Sequence, residues 1–167
     1  QKLYAFWEKL LPDFIARNKK KRSAVDEGLD DGEIFERMQE EPPYFIFIDQ
    51  LADFVEHIQH PAQGVGAMLG FMENITDKGS LHNVFIFACL NPEDTVKLTG
   101  IRLYENMVRG KWGCHLGGNV SGQRLFSFDY IPFTAQSKPK KPGVAMIPAT
   151  DGEAPEAPVV IVPQVRR

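Results

Sequence analysis

Two short runs of nearly unbroken apolar residues dominate the chain: Tyr44-Phe45-Ile46-Phe47-Ile48 and Val84-Phe85-Ile86-Phe87-Ala88-Cys89-Leu90. Both are rich in aromatic and β-branched types and neither alternates with polar residues, the pattern of strands buried on both faces of a parallel sheet. The first run follows the breaker Pro42-Pro43 and ends on Asp49-Gln50. Leu51, Phe54, Val55 and Ile58 then recur at helical spacing. Residues 62–78 carry a second helical set, Met68, Leu69, Phe71, Met72 and Ile75, with Gly64, Gly66 and Gly70 weakening the helix and Gly79 as its stop. Strand, helix and strand make a βαβ unit, so the two strands are expected to run parallel.

Upstream, apolar residues at 3, 6, 7, 10, 11, 14 and 15 form a helical stripe. Pro12 inside it predicts a kink or a fresh helical start. The stripe runs into Arg17-Asn18-Lys19-Lys20-Lys21-Arg22, either a solvated helix end or a contact for a phosphate-bearing or acidic partner. Residues 23–32 read as a loop. Asp31 is the expected cap of a short helix over 33–39, with Ile34, Phe35 and Met38 inward.

Beyond the second strand the pattern predicts a short helix opening at Asn91-Pro92 and another over 101–109. A strand then enters a glycine-rich turn over 113–119, followed by a short helix over 123–126 and a surface loop over 132–142. Two short strands follow at 143–147 and 158–162, separated by a Pro/Gly/acidic loop.

Composition narrows the class. Of 167 residues, 43% are hydrophobic and 25% charged, as in an ordinary globular domain. A formal net charge of −3 gives no global basic field toward nucleic acid. The two cysteines make no disulfide framework, and a reducing compartment is expected. Cys89 reads as a small buried apolar residue. No apolar run approaches the roughly 20 residues of a membrane span. The chain opens on Gln1-Lys2-Leu3 without an initiating Met, as an excised fragment would.

An apolar strand ending in Asp is the Walker B element of P-loop NTPases, whose carboxylate helps hold Mg²⁺. The neighbour that often activates water is here Gln50, an amide that can orient water but is a poor base. The alternative is a plain strand whose terminal Asp49 caps the next helix. A Walker A cradle is missing. The one Gly-Lys pair, Gly110-Lys111, precedes Trp112, and Glu105 stands where the first Gly belongs. His57, His60, His82 and His115 lack metal-ligand spacing, although His57 and His60, three apart, read either as a metal pair or as helix-end surface histidines. Gly117-Gly118 reads either as a phosphate turn or as a tight turn needing positive φ.

The order of these features resembles the C-terminal part of the last ATPase-like domain of the FtsK/SpoIIIE family. That order comprises the basic helix end, acidic loop, Pro-Pro, Ile48-Asp49-Gln50 with Asp53-Phe54, and the second strand. It continues with His115-Leu116-Gly117-Gly118-Asn119, Gln123-Arg124-Leu125-Phe126 and Lys141-Pro142-Gly143-Val144-Ala145. More narrowly, the stretch is similar to the type VII secretion coupling proteins of the EssC/YukB kind. The His-Leu-Gly-Gly-Asn and Gln-Arg-Leu-Phe segments are its most specific part.

The resemblance implies an α/β fold: an incomplete RecA-like, P-loop NTPase-type three-layer domain over residues 1–148, with a mostly parallel central sheet flanked by helices. Residues 149–167 would be a Pro-rich tail with an edge strand. It implies a membrane-anchored parent on the cytoplasmic side of a bacterial membrane, able to form hexamers and binding ATP and Mg²⁺, with Asp49 and Gln50 at the Mg-ATP position of the intact module. The fragment itself is expected to be soluble, to bind no cofactor and to be inactive alone. Its implied work is substrate recruitment or regulation, with neighbouring ATPase modules and a secreted helical protein as partners and nucleic acid disfavoured. Residues 117–126 are the expected module–module or nucleotide-adjacent surface. The competing expectation is part of a DNA-translocating FtsK-type motor.

Overall fold

A computed structural model describes residues 2–59, 66–148 and 159–161. The chain divides into two compact units, residues 1–106 and 107–167.

In the first unit, α1 (Lys2–Asp26) is one helix of 25 residues. Pro12 neither starts nor ends it, and the helix carries the basic run and the first residues of the expected loop. Pro12 lies on the exposed side, where the carbonyl it leaves without a donor can be hydrated. Trp7, Phe14, Arg17 and Ala24 form the buried stripe. A turn with Gly28 at φ 84° leads into α2 (Asp31–Met38). The cap is Asp30, one residue earlier than expected. Its carboxylate accepts from Glu33 N while Glu33 returns a bond to Asp30 N, a capping box. Ala24, Ile34 and Met38 make a small core with Leu29 and Leu81 packed against it.

β1 (Tyr44–Ile48) and β2 (Val84–Ala88) pair in parallel, Tyr44 opposite Val84 through Ile48 opposite Ala88. Between them run α3 (Leu51–Gln59) and α4 (Gly66–Lys78), then a 3₁₀ turn, Gly79–His82. The parallel βαβ unit is therefore as expected, in a mixed α/β architecture. Leu51, Ala52, Val55 and Ile58 form the buried face of α3, and Met68, Met72 and Ile75 that of α4. A ring chain, Phe71–Trp7–Phe14–Tyr44, joins α4, α1 and β1.

The expectation of two buried faces fails. Phe45, Phe47 and Phe87 are more than half exposed. Phe45 stacks on Phe85 at 5.5 Å and Phe47 on Phe87 at 5.2 Å, an open aromatic ladder across the two strands. Stacking along the pleat holds these rings in order without a covering layer. Cys89 lies just past β2 and is exposed, against the expectation of burial. The helix opened by Pro92 is a 3₁₀ helix, Pro92–Leu98. α5 (Arg102–Arg109) follows; Leu103 is fully buried, and Asn106 Nδ2 donates to Glu73 O on α4 at 3.1 Å.

The second unit holds an antiparallel sheet ordered β3 (His115–Gly118), β4 (Lys140–Met146) and β5 (Val159–Ile161). β4 starts inside the expected loop, after a short helix, α6 (Phe133–Gln136). β5 pairs with β4 where the expected tail strand lies, and the loop 149–157 falls outside the described residues. Residues 123–126 form no helix. Gln123 Oε1 instead accepts from both Leu125 N and Phe126 N at 2.8 Å, and its Nε2 donates to Phe126 O, so one side chain takes up the backbone groups that a helical turn would use. Val120, Phe128 and Met146 are the core, lined by Phe126, Tyr130 and Ile131.

Candidate functional site

The carboxyl edge of the parallel pair is the place where a ligand can meet the ends of both strands at once. Cys89 N donates to Ile48 O at 2.8 Å and Leu51 N to Cys89 O at 3.0 Å, so the chain leaves β1 fixed against the end of β2. Asp49 and Gln50 project from this crossing and are exposed. Gln50 O accepts Phe54 N at 2.9 Å and so starts the α3 ladder. Among the described residues no α3 amide donates to the Asp49 carboxylate, and α3 carries its own first-turn acid, Asp53. Asp49 is thus held at a fixed place without being used as a cap.

Asp49 and Gln50 lie at one end of a groove of about 290 Å³ beside β1. Leu3, Phe6 and Leu10 of α1, Phe45 and Phe47 of β1, Phe54 of α3, and Met68 and Met72 of α4 line it. Among the described residues that line it, Asp49 alone is charged. An apolar trough ending in a carboxylate suits an apolar segment carrying a cation at its end.

The opposite, amino edge is closed by Arg17, a residue the sequence reading left inside a basic cluster. Arg17 is 2% exposed. Its Nη2 donates to Pro42 O at 2.6 Å and its Nη1 to His82 O at 2.9 Å, with Asn83 O at 3.4 Å. Its Nε donates to Asp13 at 2.7 Å and its guanidinium lies 4.7 Å over the Tyr44 ring. One side chain thus ties α1 to the residues that open both strands. The signal was in the spacing: Arg17 falls three residues after Phe14 and seven after Leu10, on the apolar stripe. Lys20, next on the run, bridges Glu41 at 2.8 Å and Glu40 at 3.1 Å, and those carboxylates hold its amine above the ordinary value, Glu41 first.

The other sequence candidates stand elsewhere in the chain, several of them in the second unit. Gly110-Lys111 forms a turn at the end of α5, with Lys111 at φ 52° and Trp112 within 2.7 Å of where a Gly110 Cβ would stand. It is no phosphate cradle. Gly117 and Gly118, at φ 62° and 59°, take the positive-φ reading at an irregularity in the β3–β4 register. Asn119 Oδ1 accepts from the backbone N–H and hydroxyl of Ser121 just beyond. His57 is exposed on α3 and His60 lies outside the described residues. Among the described residues no cluster of three or more His, Cys, Asp or Glu side chains is placed to hold a metal ion. No described helix is long and apolar enough to cross a membrane.

No protein-family model matches the chain, and neither a curated protein nor a solved structure matches it.

Proposed function

We propose that residues 1–148 are the C-terminal part of a RecA-like module of the FtsK/SpoIIIE type, in the branch of type VII secretion coupling proteins. The module serves substrate recruitment or regulation and does not itself turn over ATP. One observation carries this reading: β1 and β2 are parallel, paired without offset across two helices, and an exposed Asp49-Gln50 stands at their carboxyl edge. A carboxylate so placed is where a triphosphate-bound Mg²⁺ would be met if a phosphate cradle were supplied. Gln50 beside it can hold a water but cannot take its proton at neutral pH. Two cations of the basic run are already used, Arg17 inside the unit and Lys20 in pairs with Glu40 and Glu41, which weakens the run as a DNA contact without removing the exposed Lys19 and Arg22.

The test is calorimetric titration of the full chain with a small helical protein secreted by a type VII system, alongside ATP turnover. Saturable binding without turnover above a buffer blank is expected. Turnover that disappears in Asp49→Ala would overturn the non-catalytic assignment. Salt-sensitive binding of duplex DNA in place of the protein would move the chain to the DNA-translocating class.

A further inference from the structure

The groove beside β1 is lined by one kind of chemistry. Phe6, Trp7, Phe14, Phe45, Phe47 and Phe54 bring aromatic rings to it, and Met68 and Met72 add thioethers that adapt to a ligand's shape. Asp49 and Gln50 are polar, and among the described residues that line it there is no Lys, Arg or His. Ring faces carry negative potential, and Asp49 adds a full negative charge.

That charge is unused within the fold. Among the described residues none donates a hydrogen bond to the Asp49 carboxylate or forms an ion pair with it. The surrounding unit has the same sign: residues 1–106 hold eighteen Asp and Glu against eleven Lys and Arg. Such a field draws cations and turns anions away.

We propose that this groove binds a small organic cation, a quaternary ammonium ion carrying an aromatic or branched alkyl group. The apolar group lies among the rings and thioethers, and the charged centre sits at the Asp49 end. A primary ammonium has three N–H groups to satisfy. The side chains lining the groove offer acceptors only at Asp49 and Gln50, so a primary ammonium enclosed there is left with N–H groups lacking partners, which is costly. A quaternary centre has no N–H and is the kind of cation that aromatic faces bind. Volume sets the size. A space of 290 Å³ equals about ten waters of the liquid. It has room for on the order of ten non-hydrogen atoms, just under the range of drug-sized sites, and fits a free small molecule better than a length of peptide.

Trp7 is 4% exposed and lines the groove, so its fluorescence reports occupancy once Trp112 of the second unit is changed to Phe. The probe is benzyltrimethylammonium. Dimethylbenzylcarbinol is a neutral molecule of nearly the same shape, and phenylacetate is an anionic comparison. Benzyltrimethylammonium should change Trp7 emission saturably, with a Kd of about 1 mM or below. The carbinol should bind at least about fivefold more weakly, the difference expected from one charge pair about 4 Å apart in a water-like medium. Phenylacetate should give no saturable change. Asp49→Asn should bring the cation down to the carbinol's affinity. Phe47→Ala should weaken the cation about two- to fivefold, the contribution of one exposed ring facing a cation. Both side chains are exposed, so both variants should melt with the parent.

No saturable change up to about twenty times that concentration overturns the proposal. So does a carbinol that binds as tightly as the cation, or a preference for the cation that survives Asp49→Asn. These outcomes rest on the groove alone, and neither ATP turnover nor binding of a secreted protein bears on them.

Discussion

Replacing Arg17 by methionine keeps most of the aliphatic stem and removes the fork that binds the openings of β1 and β2. Two of its bonds to carbonyls are well formed, 2.6 Å to Pro42 and 2.9 Å to His82, and the 3.4 Å approach to Asn83 adds little. A bond from a charged donor contributes about 1.5–3 kcal/mol, and a guanidinium over a desolvated ring about 2 kcal/mol. Against this, the variant no longer buries a cation, which returns part of the desolvation penalty. Asp13, whose side chain is 36% exposed, can turn to water. The net loss should be about 3 kcal/mol, a large share of the roughly 5–15 kcal/mol that holds an ordinary domain.

Urea unfolding followed by Trp7 fluorescence reads this out, because Trp7 is buried in the same unit. The exposed Trp112 of the second unit is first changed to Phe. With m near 1–3 kcal/mol per molar, the midpoint should fall by roughly 1–3 M. Arg17→Lys keeps the charge but not the fork and should recover only part of the loss. A midpoint within about 0.3 M of the parent in Arg17→Met would refute the clamp.

Two further outcomes follow from local geometry. Asp30→Ala should lower stability by about 1 kcal/mol through the lost cap of α2; it is read as faster amide exchange at Ile34 and Met38, and unchanged exchange would contradict the capping role. Burial holds the His115 imidazole below its ordinary value of 6.5, against a smaller upward pull from its Gly117 backbone bond. The folded state therefore binds fewer protons than the unfolded one just below pH 6.5, so the second unit should lose stability as pH falls through that value. His115→Gln should flatten that slope in thermal melts, and a slope that persists would place its source elsewhere.

What was legible in the sequence is what periodicity encodes. The Leu51, Val55 and Ile58 repeat gave the buried face of α3, and two apolar runs separated by helices gave a parallel pair in the right places. Burial on both faces was not legible. A ladder of phenylalanines has the same composition whether a layer covers it or the rings cover each other. Arg17 was hidden because a burial stripe and a basic cluster overlap on one helix, so its charge and its spacing point opposite ways. The missing helix over 123–126 had a helical composition, but Gln123 bonded the backbone before an i→i+4 ladder could. At the carboxyl edge, the position of Asp49 was predictable from the end of the strand. The groove beside it was not, because α1 contributes a wall from some forty residues upstream.

Asn83 adapts to φ 52° just before β2, is buried, and gives its side-chain amide to Glu41 O at 2.8 Å. Together with Arg17 it stitches β1 and β2 by side chains at their starts, whereas their finishes are joined by main-chain bonds around Cys89. The two ends therefore resist separation by different means, and a load on the Asp49 carboxylate is borne by the backbone bonds that Ile48, Cys89 and Leu51 share.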